Sequence, residues 1–538
     1  MKKSGLLILN QFAVLLVATL PVIAWGAPAA PDSKQPLVKE LHFERPRAPA
    51  SAPKVSGKNL KISLREAVTL ALARNFDILI EAHNPRIRGQ EVAIQKSEFD
   101  IAFVSSASTE KSNLDSASRL TTSTGQQVTS EQKVTAGIEK KFITGADVEL
   151  TFETARENSN STSRNINPNF ESSLTFTLTQ PLLKNFGIDV NKANINIASF
   201  SLDQSLLTYR GRVISVIDSV EQAYWDLVFA NANLKFRSTS LNLAKDLLRR
   251  NRIQVEVGTL APIEILEAES TVAQREEEVI VAERQLQDRE DALKKILNVS
   301  DNISSWALRV TPADQANYKP IKLNEMASTM KALERRADLE SARLEIEKSK
   351  IRLKRDRTNL MPELDLSASA ANQGVKNSFS NSTRRQFNNK GYALSGELAI
   401  RIPIGNREAR ADLDKSRLEL QRANAAYQQL EQSIIEEIRR SVRLVRSNTK
   451  RITATRLASR LTEERLDSQE KKFKVGLSTS RDVLEDQESV ANALSNEVQA
   501  LVDYNKSVAQ LSRSTYTTLQ RFKIKLGDPR KGTPGDKP

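Results

Sequence analysis

Two stretches of this chain are versions of one another. Val257-Gly258, followed by Glu264-Ile265-Leu266-Glu267, recurs as Val475-Gly476, followed by Asp482-Val483-Leu484-Glu485. A second pair lies upstream, where A-L-A-R-N-F-D-I at 71–78 recurs as A-L-E-R-R-A-D-L at 332–339. Two copies of one supersecondary unit have to pack as quasi-equivalents. The sequence therefore predicts a duplicated fold, with a first repeat at 60–300, a connecting equatorial segment at 301–324 and a second repeat at 325–525.

The spacing between the copies locates an insertion. Asp77 and Asp338 lie 261 positions apart, whereas Pro181 and Pro403 lie 222 positions apart. The first copy therefore carries 39 more residues between these points, near 113–155. We interpret them as an inserted β-hairpin whose two strands are 133–142 and 148–154. The sequence does not decide whether this hairpin joins the other strands or projects beyond them, although its polar flanks favour projection. Without it each repeat supplies two strands.

Each repeat contains one very long helix. The segment 189–257 has no proline and a single glycine, and its apolar residues recur at alternating spacings of four and three. That is a near-heptad seam, typical of helices that coil on partners. The seam consists of Val213, Ile217, Val220, Tyr224, Leu227, Asn231 and Leu234, and its mate in 408–475 has Ile435, Ile438, Val442 and Val445. Each helix should span on the order of 100 Å, too long for a compact domain.

The predicted strands alternate apolar and polar residues. Leu174–Gln180 and Leu364–Ser369 do so with period two, and Tyr392–Ile402 does so less strictly. Such segments suit lipid-facing barrel strands, and a sheet in a membrane has to close. Four strands per chain close only in an oligomer, although the alternation would also suit a soluble sandwich. Pro181 and Pro403 mark the places where each second strand ends and a helix follows.

The termini and composition define the compartment. Lys2 and Lys3, the apolar run 6–24 and the site Ala24-Trp25-Gly26 predict a signal peptide at 1–26; an uncleaved anchor helix is the alternative. The proline-rich arm 27–59 and the tail 526–538 are predicted to be disordered. The net charge is +14, but acids and bases alternate on helix faces such as Arg275–Glu278, which argues against nucleic-acid binding. The sequence contains no cysteine, which excludes disulfides and thiolate metal sites.

The chain resembles the TolC family of outer-membrane efflux proteins. The resemblance rests on S-L-R-E-A-V at 63–68, Asn84-Pro85, Q-P-L-L at 180–183, Phe186-Gly187 and the two glycine motifs, and it covers about 60–525. It implies a homotrimer, with a twelve-stranded barrel in the outer membrane continuing into an α-helical tunnel across the periplasm. It also implies docking to a periplasmic adaptor and to an inner-membrane transporter, so that the chain exports cargo passively.

The glycine motifs contain the candidate site. Residues three apart on a helix share a face, so Asp482 and Glu485 point together, as do Glu264 and Glu267. In a trimer these positions would form rings of carboxylates that select cations, although first-turn acids are also explained by the helix dipole. The resemblance implies a periplasmic aperture at Asp482 and Glu485 with Glu264 as a latch. Ser478 stands where a latching arginine can sit, and Arg481 is a candidate substitute.

The turns between the helices are the predicted adaptor-docking surface. They consist of Val257, Gly258 and Thr259 in the first copy and Val475, Gly476 and Leu477 in the second. No catalytic constellation, cofactor motif or metal-ligand set is recognisable, so no enzymatic activity is predicted. The leading hypothesis is an outer-membrane export channel, with a periplasmic adaptor or coiled-coil spacer as the alternative. The sequence does not identify the cargo or the class of pump.

Overall fold

A computed structural model describes residues 55–56, 59–115, 125–299, 306–388 and 391–529. The predicted signal peptide and most of the predicted arm lie outside these residues. The chain mixes helices and strands and is 64% helical. None of the described helices combines the length and the apolarity needed to cross a bilayer.

The elements of the first repeat and the connecting segment are β1 (Val55–Ser56), β2 (Asn59–Ile62), α1 (Leu64–Arg74), α2 (Phe76–Ser97), β3 (Ile101–Asp115), β4 (Gln126–Lys141), β5 (Asp147–Ser159), β6 (Asn169–Pro181), α3 (Ile188–Asn191), α4 (Ala193–Glu256), α5 (Ile263–Leu297) and β7 (Arg309–Pro312). Those of the second repeat are α6 (Glu325–Arg335), α7 (Ala337–Asn359), β8 (Glu363–Lys376), α8 (Phe379–Phe387), β9 (Tyr392–Arg401), α9 (Arg407–Lys474), α10 (Ser480–Ser514) and α11 (Thr518–Phe522).

The duplication is visible in the backbone. Helices α1 and α6 both have 11 residues, and each is followed by a longer helix after one extended residue. Asn75 has φ −62° and ψ 128°, and Arg336 has φ −68° and ψ 125°. These two residues come from the paired motifs at 71–78 and 332–339, so the sequence repeat corresponds to one helix-break-helix unit used twice.

The predicted long helices are confirmed. Helix α4 has 64 residues and α9 has 68, so each is about 100 Å long. The predicted seam is buried as far as Leu227, but Asn231 is exposed. In α9 the buried residue is Ile434 rather than Ile435, which is half-buried. The fully buried positions at this seam are Val213, Ile217, Val220, Tyr224, Leu227, Ile438, Val442 and Val445.

The main sheet has six strands, in the order β3-β4-β5-β6-β8-β9, all antiparallel. The prediction of four strands per chain with a projecting hairpin is therefore wrong. Strands β4 and β5 lie inside the sheet, because β4 pairs with β3 and β5 pairs with β6. The polar flanks that favoured projection take part in the ladder, as in Ser112↔Thr129 and Arg156↔Phe170. The polar side chains of these flanks do not prevent pairing, because the ladder is formed by hydrogen bonds of the backbone.

The two faces of this sheet differ in chemistry. Residues directly opposite each other in neighbouring antiparallel strands lie on one face, so the register sorts side chains into rows. One row across all six strands is apolar throughout and consists of Phe103, Ile138, Leu150, Phe176, Ala370 and Leu394. A row on the other face is almost entirely polar and consists of Ala102, Glu139, Glu149, Thr177, Ser369 and Ser395. The sheet is thus amphipathic over its full width.

Both segments that were predicted to be disordered include residues with a defined place in the fold. Strand β1 pairs with β2, and β2 pairs in parallel with β7 of the connecting segment. The end of the predicted arm therefore belongs to a small sheet. At the other end Leu526 is 6% exposed and packs in the core beside α4. The predicted tail is wrong at this residue because its apolar side chain finds a buried place, and 530–538 lie outside the described residues.

A buried carboxyl in this core gives the fold a pH dependence. Burial raises the pKa of Glu221 to about 7, although Arg521 Nη2 lies 2.5 Å from its Oε2 and opposes the shift. The folded state therefore holds this proton more tightly than the unfolded chain. The resulting stabilisation is complete below about pH 4.5 and is lost as the pH rises through about 7.

The free energy of unfolding of the wild type should fall as the pH rises from 5 to 8. We expect Glu221→Gln to show a smaller fall, because glutamine does not titrate. The difference should reach up to about 3 kcal/mol. Urea unfolding followed by circular dichroism across this pH range measures it. Glu277→Gln, which alters an exposed acid, is the matched control and should keep the wild-type slope. Identical slopes for all three proteins would show that Glu221 does not titrate in this range.

Candidate functional site at the helix-hairpin tips

The two predicted docking turns have the same backbone structure. Gly258 and Gly476 both have φ +77°, the left-handed conformation that ends a helix and favours glycine. The residue after each glycine donates its N–H to the carbonyl five residues earlier, Thr259 to Gln254 at 2.8 Å and Leu477 to Lys472 at 2.9 Å. The turns therefore join α4 to α5 and α9 to α10 in equivalent ways.

These turns carry exposed apolar side chains. Val257 is 66% exposed, Val475 70% and Leu477 77%. Ile263 and Leu266, at the start of α5, are 56% and 63% exposed. Apolar side chains clustered at one end of a molecule mark a surface for binding a partner. The predicted docking residues are thus grouped in the structure and accessible.

The predicted aperture acids have partners inside their own hairpin. Asp482 completes a capping box with Thr479, accepting from its N–H at 3.0 Å and from its hydroxyl at 2.8 Å. Ser478 also donates to it at 3.1 Å, and these bonds, the backbone bond first, lower the pKa of Asp482. Glu485 is 3.2 Å from Arg481, and both side chains are well exposed. Asp482 therefore stabilises the helix start, while Glu485 faces solvent.

Glu264, the predicted latch residue, contacts the second hairpin. Its Oε2 accepts a hydrogen bond from Ser480, which is 1% exposed. Arg481 does not take this role within the chain, since its ion pair is with Glu485 on the same helix. Glu267, Arg481 and Glu485 instead line one groove of about 390 Å³ between the hairpins.

Arg275 is a tip residue that the sequence analysis placed wrongly. In the acid-rich run 275–278 it was predicted to lie on a solvated face, but it is 3% exposed. Its Nη2 donates to the carbonyl of Leu484 at 2.8 Å and its Nη1 to the carbonyl of Ser240 at 3.2 Å. Desolvation by this burial lowers its pKa. Arg275 therefore ties α5 to α4 and to α10. The only sequence signal was its helical spacing of three and seven from Val272 and Ala268, which are also buried.

Further polar contacts bridge the two hairpins along their length. Arg237 donates to Glu278 at 2.9 Å and to Asn492 at 3.0 Å. Ser495 lies 3.1 Å from Asn233, and Lys506 pairs with Asp226. Within the described ranges no His, Asp and Glu side chains converge as a metal site. Polar bridges that start at the tip therefore add to the apolar packing of Leu247 and Val272 against Leu484.

The two prolines lie where the strands give way to helices. Pro181 is the last residue of β6 and pairs with Asp365. Pro403 follows β9 by two residues and precedes the start of α9 at Arg407. Both prolines therefore mark the strand-to-helix transition.

Two equivalent helical hairpins, each with one arm about 100 Å long, joined to an amphipathic sheet, are the architecture of the outer-membrane channel class. The family model for outer membrane efflux proteins matches residues 67–299 and 329–515. The chain therefore belongs to the outer membrane efflux protein family, and the resemblance to TolC is confirmed. No curated protein sequence matches this chain.

Solved structures share this fold. A membrane protein from Pseudomonas aeruginosa matches at 17% identity with a TM-score of 0.63, covering 88% of this chain and 99% of that one. The CmeC outer membrane channel of Campylobacter jejuni matches at 16% identity and 0.62, covering 87% and 91%. The open state of the MtrE outer membrane channel of Neisseria gonorrhoeae matches at 14% identity and 0.59, covering 91% and 99%. At these identities the similarity establishes the fold.

The family assigns the function. This chain is an outer-membrane export channel, located in the outer membrane. Channels of this family transport and are not enzymes, and TolC-like efflux channels work with adaptor and inner-membrane pump partners. The family decides against the alternative of a periplasmic adaptor or coiled-coil spacer.

Proposed function

We propose that three copies of this chain form the channel, each contributing its six-stranded sheet to one closed barrel. The observation that carries the proposal is the sheet itself, which is apolar on one face, polar on the other and unpaired at both edges among the described residues. A sheet in lipid has to satisfy its edge groups. Pairing β9 of one copy with β3 of the next would satisfy the edge groups along the ten residues of β9.

The barrel of this proposal has eighteen strands, six from each chain, instead of the twelve expected from the family resemblance. The diameter of a barrel grows roughly linearly with strand number, so this barrel would be roughly half again as wide. The apolar face would meet lipid and the polar face would line the lumen. The exposure of β3 and β9 on both faces supports contacts of these edge strands with neighbouring copies.

Below the membrane, the hairpins of three copies would enclose a periplasmic tunnel, and their tips would form its narrow end. The exposed turns at Gly258 and Gly476 support docking of an adaptor there, which couples the channel to an inner-membrane transporter. The bridges through Glu264 and Arg275 would keep each pair of hairpins closed until the adaptor engages.

Electron microscopy of protein extracted from the outer membrane tests this assembly. We expect a threefold particle with a hollow stalk on the order of 100 Å long and eighteen strands around the barrel. A twelve-stranded barrel would mean that β4 and β5 leave the sheet on assembly. A particle without threefold symmetry would overturn the trimer.

The acids at the tip should control divalent-cation block of the reconstituted channel. We expect Asp482→Asn with Glu485→Gln to weaken block by about tenfold, because a ring of six negative charges is removed in the trimer. Asparagine retains an acceptor for the Thr479 cap, so the helix start stays intact. Planar-bilayer conductance with added Mg²⁺ measures the effect, and Asp467→Asn with Glu470→Gln on the same hairpin is the charge-matched control. Unchanged block in the tip variant would exclude the aperture role of these acids.

A further inference from the structure

A short helix lies against the apolar face of the sheet. Helix α8 follows β8, and its Ser382 and Gln386 are fully buried against β6 and β8. Ser172 of β6 and Ser382 lie 2.9 Å apart through their hydroxyl oxygens. Gly374 of β8 makes the contact close, since a Cβ there would come within 2.6 Å of the backbone nitrogen of Gln386. Ser172 and Gly374 belong to one row, on the face that carries Phe176.

The outer side of this helix is aromatic and basic. Phe379 and Phe387 are 49% and 68% exposed, and Arg384 and Arg385 are also exposed. The next row of the sheet continues this chemistry, with Arg156 opposite Phe170 and Phe170 opposite Lys376. The Arg156 guanidinium lies 5.9 Å from the centre of the Phe170 ring. We name this surface the α8 rim, and it consists of Arg156, Phe170, Lys376, Phe379, Arg384, Arg385 and Phe387.

The α8 rim lies at the end of the sheet that is far from the long helices. Strand β8 leaves α7 at Glu363 and reaches the rim at Lys376. Between them the apolar face extends over about ten residues, from Leu364 to Gly374, which is about 25 Å for a strand of usual rise and tilt. That height matches the apolar band of a membrane barrel. In the proposed orientation the rim is therefore level with the headgroups of the outer leaflet.

The positive charge of the rim is not balanced by acids in the part of the chain that the structure describes. Among the described residues, none of its four cations forms an ion pair with a carboxylate. The neighbouring acids Glu157 and Glu171 lie on the opposite face by register, and Glu157 pairs with Arg164 at 2.5 Å. Four cations interleaved with aromatic rings at a membrane interface complement a lipid with anionic phosphates and acyl chains.

We propose that the α8 rim binds a phosphorylated glycolipid of the outer leaflet, with Arg384 and Arg385 on its phosphates and Phe379 and Phe387 among its acyl chains. This inference rests on the proposed barrel, which places the apolar face in lipid. Arginine suits the role because its planar group donates to a phosphate through two N–H groups at once. The lipid would bind the outer side of α8 and hold this helix against Gly374 of the sheet.

Native mass spectrometry of the detergent-purified protein with diphosphorylated lipid A tests the proposal. We expect Arg384→Ala with Arg385→Ala to weaken binding by about tenfold or more, and Arg384→Lys with Arg385→Lys to retain most of it. Arg443→Ala with Arg446→Ala, two exposed arginines of α9, should bind as the wild type does. Lipid A without its phosphates should bind poorly, and inorganic phosphate alone should not bind.

Three results would overturn the proposal: equal binding of the dephosphorylated lipid, equal binding by the alanine variant, or binding of inorganic phosphate as strong as that of the lipid. Conductance of the same preparations in planar bilayers shows whether a failure concerns the lipid site or the proposed barrel on which that site rests. A wild-type protein that conducts without preferring the phosphorylated lipid disproves only the lipid site. A protein that fails to insert and conduct disproves the proposed barrel.

Discussion

Replacing Gly258 and Gly476 together with valine should abolish export while leaving the channel in the outer membrane. Both glycines have φ +77°, which costs a β-branched residue about 1–2 kcal/mol at each turn. Nothing lies within 4 Å of a Cβ built at either position, so the new side chains disturb no internal packing. They instead alter the shape of the exposed turns on which adaptor docking is proposed. We therefore expect a loss of export of at least about tenfold, because three chains would present six altered turns.

The measurement combines an export assay in cells with quantification of the protein in the outer-membrane fraction. Gly89→Val is the matched control, since Gly89 also has open space at its Cβ but lies inside α2 with an ordinary φ. It should export at the wild-type rate. Normal export by the double variant would refute the docking role of the turns. Loss of the protein from the membrane would assign the glycines to folding instead.

The sequence predicted the helical half of this molecule closely because its signals are local and periodic. The predicted limits of the long helices, 189–257 and 408–475, lie within four residues of the observed ends of α4 and α9. The heptad seam predicted which side of α4 is buried, because the apolar stripe of an amphipathic helix packs against the core. The left-handed turns followed from glycine placed after a helical run.

The sheet was predicted less well because strand pairing is not local. Residues 133–142 and 148–154 were recognised as strands, but their neighbours depend on β3 and β6, whose pairing no local pattern encodes. The burial of Arg275 was equally hard to predict, because the three glutamates that follow it indicated a solvent-exposed face of the helix. Its burial requires carbonyls of α4 and α10, which only the packed hairpins bring together. The α8 rim likewise needs the register that aligns Arg156, Phe170 and Lys376.

Arg275→Ala should loosen the closed tip and raise the basal conductance of the channel several-fold. Arg275 is the buried donor to the carbonyls of Ser240 and Leu484, and its loss leaves these acceptors without that partner, at about 2 kcal/mol. That energy is comparable with the coupling between two states of a gate. The α5 side would then be released from α10 while the hydrogen bond from Ser480 to Glu264 remains, so we expect the tip to open in part.

Single-channel recording in planar bilayers measures the basal conductance, and thermal unfolding of the same protein reports on folding. Arg275→Lys should recover part of the wild-type behaviour, since lysine can donate to one carbonyl but not span both. Arg284→Ala, an exposed arginine of α5 paired with Asp288 at 2.6 Å, should leave conductance unchanged. A lower melting temperature with unchanged conductance in Arg275→Ala would give this residue a structural role alone. Raised conductance at an unchanged melting temperature would place Arg275 in the gate, because the bridge would then act on the tip without carrying the stability of the fold.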